Sequence, residues 1–323
     1  MSSSQGFSLS IKEGSVIDTL PVYVKELIAG GVAGGISKTA VAPLERIKIL
    51  VQTRTDGFHS LGVHQSLKRL LKQEGFTGLY KGNGASILRI VPYSSLYFMT
   101  YERYKCWILD NNTVLGTGPM VDLLAGSAAG GTAIMCTYPL DLTRTKLAHE
   151  VVDAKASFGV GTRNSSVKSV LTSVYREAGI RGLYRGIGPT LMSILPHAGM
   201  RFCVYEELKR HVPDEYQRSI IMSLSCGAIS GLLGQTVTYP LDVIKRQMQV
   251  DNLQAPGGAR HKNTWKAFNT IVHQQGWRQL FAGLGINYIK IVPSMAIGFA
   301  TYDMMKLWLR IPPRQKVQSV SNG

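Results

Sequence analysis

Apolar residues fall into long runs that polar sequence separates at regular intervals. The first run starts near Tyr23, carries Gly30, Gly31, Gly34 and Gly35, reaches Pro43 and continues through Ile47 to Gln52. Polar sequence follows, with Asp56-Gly57 as a turn signal and His64 to Gln73 patterned as a short amphipathic helix. A second run spans about Ala85 to Leu109 around Pro92. The plan then recurs. Gly126, Gly130 and Gly131 precede Pro139, a short helix is expected near Val167–Glu177, and a further run holds Pro196. In the third round Gly227, Gly231 and Gly234 precede Pro240, Ala255-Pro256-Gly257-Gly258 makes a loop, and the last run holds Pro293. Runs of ~20–28 residues can cross a bilayer with some tilt. The pattern predicts an all-α membrane protein: six transmembrane helices in three pseudo-symmetric two-helix repeats, joined by short amphipathic helices. The repeats span 22–118, 119–216 and 217–311, between tails at 1–21 and 312–323. An even number of spans puts both termini on one side. The Gly30/Gly34 spacing allows close helix approach in lipid.

One motif recurs with the runs. Pro43-Leu44-Glu45-Arg46-Ile47-Lys48, Pro139-Leu140-Asp141-Leu142-Thr143-Arg144 and Pro240-Leu241-Asp242-Val243-Ile244-Lys245 each read Pro-Leu-acid, two residues, then a base. The copies lie 96 and 101 residues apart, too long a period for a solenoid and suited to three tandem modules. Proline inside a helix removes one backbone hydrogen bond and kinks the rod. Acid and base three residues apart share a helical face. Ionisable groups in lipid are costly and turn inward to pair. Three such helices can therefore pair acid to base around a ring: Glu45 with Arg144, Asp141 with Lys245, Asp242 with Lys48.

A second set ends the even helices: Tyr101-Glu102 with Lys105, Tyr205-Glu206 with Lys209, and Tyr302-Asp303 with Lys306. By the same geometry it predicts a ring at the opposite mouth, with pairs Glu102–Lys209, Glu206–Lys306 and Asp303–Lys105. Two rings that close in turn describe an alternating-access carrier. A buried pair is worth little net against apolar residues, although breaking one can cost ~3–5 kcal/mol. That suits a latch that must open. One such motif alone would read as snorkelling or helix-dipole charges; three in register at each end argue against that.

Charge narrows the cargo. The formal net charge is +16 over 323 residues, which favours anionic partners. The mean hydropathy of +0.04 is low for a membrane protein, as expected if several helices line water. Cys106, Cys136, Cys203 and Cys226 form no C-x-x-C pair and read as reduced helix residues, with no metal site. Residues 1–20 hold neither an apolar signal core nor an Arg-rich presequence, so targeting information is expected to be internal. The sequons at Asn111 and Asn164 carry no weight without a secretory signal. No P-loop, H-E-x-x-H or G-x-S-x-G points to an enzyme, and no cofactor is implied. A basic helical-repeat protein that binds nucleic acid fits the charge, yet it would need polar outer faces where these runs are apolar. A membrane scaffold without transport would not need gates at both ends.

On these motifs, over roughly residues 22–310, the sequence resembles the mitochondrial carrier family. The resemblance implies six spans with matrix-side helices, residence in the inner mitochondrial membrane, and both termini toward the intermembrane space. It also implies a monomer. The proline ring (Glu45, Lys48, Asp141, Arg144, Asp242, Lys245, kinked at Pro43, Pro139 and Pro240) would be the matrix gate. The tyrosine set (Glu102, Lys105, Glu206, Lys209, Asp303, Lys306) would be the cytoplasmic gate. Gln247, seven residues after Pro240, is expected to brace the matrix gate; Leu50 and Lys146 at the matching positions cannot. Tyr80-Lys81-Gly82 and Tyr184-Arg185-Gly186 match a cardiolipin-binding signature, with Gly82, Gly186 and Gly283 starting the even helices. The copies depart from one another: Ala178 is inserted before Gly179, and Gln275-Gly276 and Phe281-Ala282-Gly283 lack acid and base.

The cargo should be chosen at mid-depth. Thirteen residues before each tyrosine-set acid stand Arg89, Ser193 and Lys290, which match the family's contact points, with Ile194 beside Ser193. Arg89, Tyr93 and Tyr97 share a face, as do Ser193, His197 and Arg201. Lys38 lies five residues before Pro43, in a stretch similar to the ADP/ATP carriers, whose Arg-Arg-Arg triplet is absent here. Arg89, Lys38, Lys290 and Arg201 predict a cationic cluster with no nearby acid, suited to phosphate. Tyr93 and Tyr97 could stack a base or bond a hydroxyl. The chain looks most like the coenzyme A carrier branch. The expected cargo is coenzyme A or its adenosine 3′,5′-diphosphate moiety, exchanged for an adenine nucleotide; an adenine-nucleotide carrier is the alternative.

Overall fold

The computed structural model describes residues 21–55, 57–58, 61–111, 118–150, 166–213, 219–254 and 263–310. Residues 1–20 of the predicted N-terminal tail (1–21), the predicted C-terminal tail (312–323), the loop at 255–258, Asp56 of the first turn, and the sequon residues 112–113 and 164–165 lie outside them.

The described residues are helical. Six long helices are α1 (Val22–Gln52), α3 (Asn83–Asn111), α4 (Pro119–His149), α6 (Ile187–Arg210), α7 (Ile220–Gln254) and α9 (Leu284–Trp308). Short amphipathic helices α2 (Val63–Gly78), α5 (Val167–Leu183) and α8 (Thr264–Gln275) stand between them in the expected order, with a 3-10 turn at Trp277–Phe281. Three segments are long and apolar enough to cross a membrane by length and composition: Val22–Gln52, Pro119–His149 and Trp277–Trp308.

The long helices close into a ring by pairing each even helix with the next odd one. α3 packs most closely on α4, α6 on α7, and α9 returns to α1. The two long helices of one repeat touch less extensively than these cross-repeat neighbours. α1, α4 and α7 also meet one another, and they do so where Pro43, Pro139 and Pro240 sit inside them. Each helix runs on through its proline, so the acid and base beyond it keep the helical face they share. The residues that follow each proline are the most buried in the fold: Glu45 to Gln52 and Asp141 to Ala148 are buried without a break. Exposed apolar side chains such as Val22, Ile36, Leu88, Phe98, Leu195, Val237, Val292 and Leu307 cover the outside instead. That inversion is what lipid as solvent asks of a bundle with a polar interior.

Glycine sets the corners. Gly75 (φ 73°) and Gly179 (φ 62°) kink α2 and α5 from within, and Gly276 (φ 84°) ends α8, so the chain breaks at the matching point in all three repeats. Gly82, Gly186 and Gly283 take φ of 83°, 82° and 81° at the entry to α3, α6 and α9. The inserted Ala178 is absorbed inside α5 without disturbing this plan.

Candidate functional site

The three proline-motif pairs meet in the cyclic order. Arg144 bonds Glu45, Lys245 Nζ lies 2.7 Å from Asp141 Oδ2, and Lys48 Nζ lies 2.9 Å from Asp242 Oδ2. Each pair joins one repeat to the next, so the ring ties all three repeats together at the proline end.

Around two of the pairs stands a layer that the spacing argument missed. Gln249 Nε2 donates to Asp141 Oδ2 at 3.3 Å and to the Tyr138 hydroxyl at 3.2 Å. Lys245 Nζ stands over the Tyr138 ring, 5.8 Å from its centre. The Asp242–Lys48 pair has the same cage. Gln52 Nε2 donates to Asp242 Oδ2 and to the Tyr239 hydroxyl, both at 3.1 Å, and Lys48 Nζ stands 5.1 Å from the Tyr239 ring centre. Those hydroxyls in turn donate to the carbonyls of Arg185 (2.7 Å) and Ala282 (2.8 Å), just before Gly186 and Gly283. The Glu45–Arg144 pair has no such cage, because Ala42 and Ala148 occupy the matching tyrosine and glutamine positions.

Gln247 does not brace the ring, contrary to the sequence expectation. Its Nε2 donates to the Gln52 carbonyl (3.1 Å) and to Gln275 Oε1 (2.9 Å), tying α7 to α1 and α8. The reason is angular. Seven residues beyond the acid is within about 20° of two full turns, so Gln52 and Gln249 share the acid's face. Five residues beyond it, where Gln247 stands, lies about 140° round the helix. The signal was present in the sequence: Gln52 and Gln249 each stand nine residues after a motif proline, and Tyr138 and Tyr239 each stand just before one.

Above the ring lies a cavity of about 720 Å³ that runs from Glu45 and Asp242 to Asp122 and Gly126, near the tyrosine end. Tyr93, Tyr97, Ser193, Ile194, His197, Arg201 and Lys290 line it, as the sequence placed them. Arg89 and Lys38 belong instead to the ring's upper edge. Arg89 Nη1 lies 3.0 Å from Asp141 Oδ1, its Nε donates to Thr137, and its guanidinium sits 5.2 Å from the Tyr93 ring centre. Lys290 Nζ reaches Glu45 Oε1 at 3.3 Å, and Lys38 lies in the field of Glu45, Arg144, Lys290 and Arg89. The expectation that these cations have no nearby acid is therefore corrected. A long basic side chain in a narrow bundle end reaches the nearest carboxylate rather than stay desolvated alone. Tyr93, Tyr97 and Tyr101 stack in sequence along α3, with ring centres 6.3 and 6.2 Å apart.

At the tyrosine end the predicted pairs are apart. Among the described residues no ion pair joins Glu102, Glu206 or Asp303 to Lys105, Lys209 or Lys306; the three acids are exposed. Lys105 turns instead to Asp122 on α4, at 2.6 Å, where the Tyr101 hydroxyl also donates at 2.8 Å. The structure is thus latched at the proline end and unlatched at the other.

The glycines that start the even helices press on the odd helix of the next repeat. A Cβ on Gly82 would stand 2.7 Å from the Arg144 carbonyl oxygen, and one on Gly186 3.1 Å from that of Lys245. With φ of 83° as well, Gly82→Ala is expected to cost a few kcal/mol. The melting temperature of the detergent-purified protein reads this as a drop of several degrees. Gly84→Ala, where an added Cβ meets nothing within 4 Å, is the control and should stay near wild type.

The family pattern described as "Mitochondrial carrier protein" matches residues 21–112, 116–216 and 216–312 in turn. The chain belongs to the mitochondrial carrier family. Mitochondrial carriers are transporters and not enzymes. Among similar carriers is the "Mitochondrial carrier protein CoAc1" of Arabidopsis thaliana, 62% identical over 98% of this chain and 99% of its own. "Solute carrier family 25 member 16" of Homo sapiens is 36% identical over 90% of this chain and 89% of its own. The "Mitochondrial adenine nucleotide transporter ADNT1" of Arabidopsis thaliana is 37% identical over 87% of this chain and 86% of its own.

Proposed function

We propose that this carrier moves coenzyme A, or its adenosine 3′,5′-diphosphate moiety, into the mitochondrial matrix in exchange for an adenine nucleotide. It spans the inner membrane six times with both termini toward the intermembrane space. The proline ring is its matrix gate, the tyrosine set its cytoplasmic gate, and the cavity between them its solute site. The observation that carries this is the asymmetry of the two ends: one ring fully paired, the other apart, with a cationic cavity between. Opening the matrix side requires three pairs to part, and pairing at the tyrosine end would offset part of that cost. Arg89 and Lys290, already on Asp141 and Glu45, couple cargo to gate. An anionic solute that takes these cations away from the acids weakens the ring from above. The cardiolipin reading rests on Gly82, Gly186 and Gly283, each at a helix start where free N–H groups suit a phosphate. The carrier works as a monomer, since a complete gate is built within one chain.

Uptake into proteoliposomes tests this. Vesicles loaded with an adenine nucleotide are expected to take up coenzyme A and to lose the nucleotide in return. Nucleotide exchange with neither uptake of coenzyme A nor inhibition by it would defeat the coenzyme A reading and favour an adenine-nucleotide carrier. Release of the protein from membranes by carbonate without detergent would instead support a soluble, nucleic-acid-binding role.

A further inference from the structure

The cavity wall holds five Lys or Arg side chains, and four of them are already spoken for. Lys48 pairs with Asp242, Lys245 and Arg246 with Asp141, and Lys290 with Glu45. The fifth is Arg201, which among the described residues has no carboxylate within ion-pair distance, and its side chain is exposed to the cavity. Of the acids on the wall, Asp122 is held by Lys105 and Tyr101. Arg201 also faces a side pocket of about 370 Å³, lined with His197, Phe202 and Tyr205 of α6 and Gly227 of α7. His197, Ala198 and Arg201 line both spaces, so the pocket is a lateral bay of the main cavity. On its α7 side there is room, since a Cβ at Gly227 would meet nothing within 4 Å. The bay is fixed at its base, where Gly234 lets α7 approach the His197 carbonyl and the Arg201 Cβ.

We infer that Arg201, with His197 beside it, is a second anion subsite that receives a terminal phosphate monoester of the solute. It is separate from the Arg89 and Lys290 positions, which reach down to the gate. The inference rests on the cavity being the solute site. The chemistry favours a monoester. A terminal phosphate carries close to two negative charges near neutral pH and three free oxygens, whereas each phosphorus of an internal diphosphate carries one charge. A guanidinium not already committed to a carboxylate can meet two of those oxygens at once. Phe202 and Tyr205 give an adjoining ring system or ribose an apolar wall. The Arg89 end receives one phosphate group of the solute, and Arg201 thus favours a solute that carries a further phosphate monoester, as a 3′-phosphate supplies, over one that does not.

The test is a competition measurement on the full-length carrier, with coenzyme A against dephospho-coenzyme A and adenosine 3′,5′-diphosphate against 5′-AMP. Ligand-induced rise in melting temperature of the purified protein gives a second readout that needs no transport. The wild type is expected to prefer the 3′-phosphorylated member of each pair by tenfold or more. In Arg201→Gln that ratio is expected to fall to within about twofold of unity, and in Arg201→Lys to an intermediate value. A ratio unchanged in Arg201→Gln, or equal binding of both members by the wild type, would overturn the inference while leaving the solute site standing. Failure of all four compounds to bind the wild type would overturn the solute site and the inference together.

Discussion

Asp141→Asn is expected to inactivate the carrier and to destabilise it more than any other single change at the ring. Asp141 is 2% exposed and is the most heavily engaged acid of the three. Lys245 and Arg89 pair with it at 2.7 and 3.0 Å, Arg246 lies at 3.8 Å, and Gln249 donates to it at 3.3 Å. Asparagine keeps the shape and removes the charge. Three cations then face one another across a desolvated gap, and the loss of one partner of a buried pair costs ~3–5 kcal/mol. The expected outcome is a melting temperature lower by several degrees and uptake reduced at least tenfold. Asp242→Asn makes the comparison. Asp242 pairs with Lys48 alone and is partly exposed, so a smaller loss is expected there. Wild-type stability and uptake in Asp141→Asn would show that the ring does not hold the proline end closed.

Arg89→Ala is expected to abolish uptake while leaving the carrier folded. Arg89 touches Asp141, Thr137 and the Tyr93 ring, so it stands between cavity and gate. Its removal leaves Asp141 with Lys245, so the ring keeps its charge balance and the melting temperature should fall less than in Asp141→Asn. The loss is one of coupling: the solute can still enter, but it has no guanidinium to draw away from the gate. Retained binding with absent transport, measured side by side on the purified protein, would mark this behaviour. Normal uptake by Arg89→Ala would remove Arg89 from the site and leave Lys290 as the cation that links cargo to ring.

Much of the ring was legible before any coordinates. Glu45, Asp141 and Asp242 recur with their bases at a fixed helical offset; a threefold repeat then leaves two cyclic orders of pairing, and the structure shows the one expected. The wall residues Ser193, His197 and Arg201 were legible for the same reason, because a four-residue step keeps a side chain on one helical face. The glutamine brace was misread by two residues, and a helix turns that small error into a different neighbour: Gln247 found Gln275, while Gln52 and Gln249 found the acids. The engagement of Arg89 and Lys290 with Asp141 and Glu45 was not legible either. It depends on how tightly α1, α4 and α7 converge, which no spacing along one helix encodes.

The sequence by itself determined the number of repeats, the faces that turn inward, and which acids can meet which bases, because helical periodicity and the cost of charge in lipid act locally along the chain. Only the tertiary structure decided which end is latched, which cations are already neutralised, and that Arg201 is left over. Those outcomes turn on small differences between ion pairs of similar worth, and they are settled by the distance between helices from different repeats.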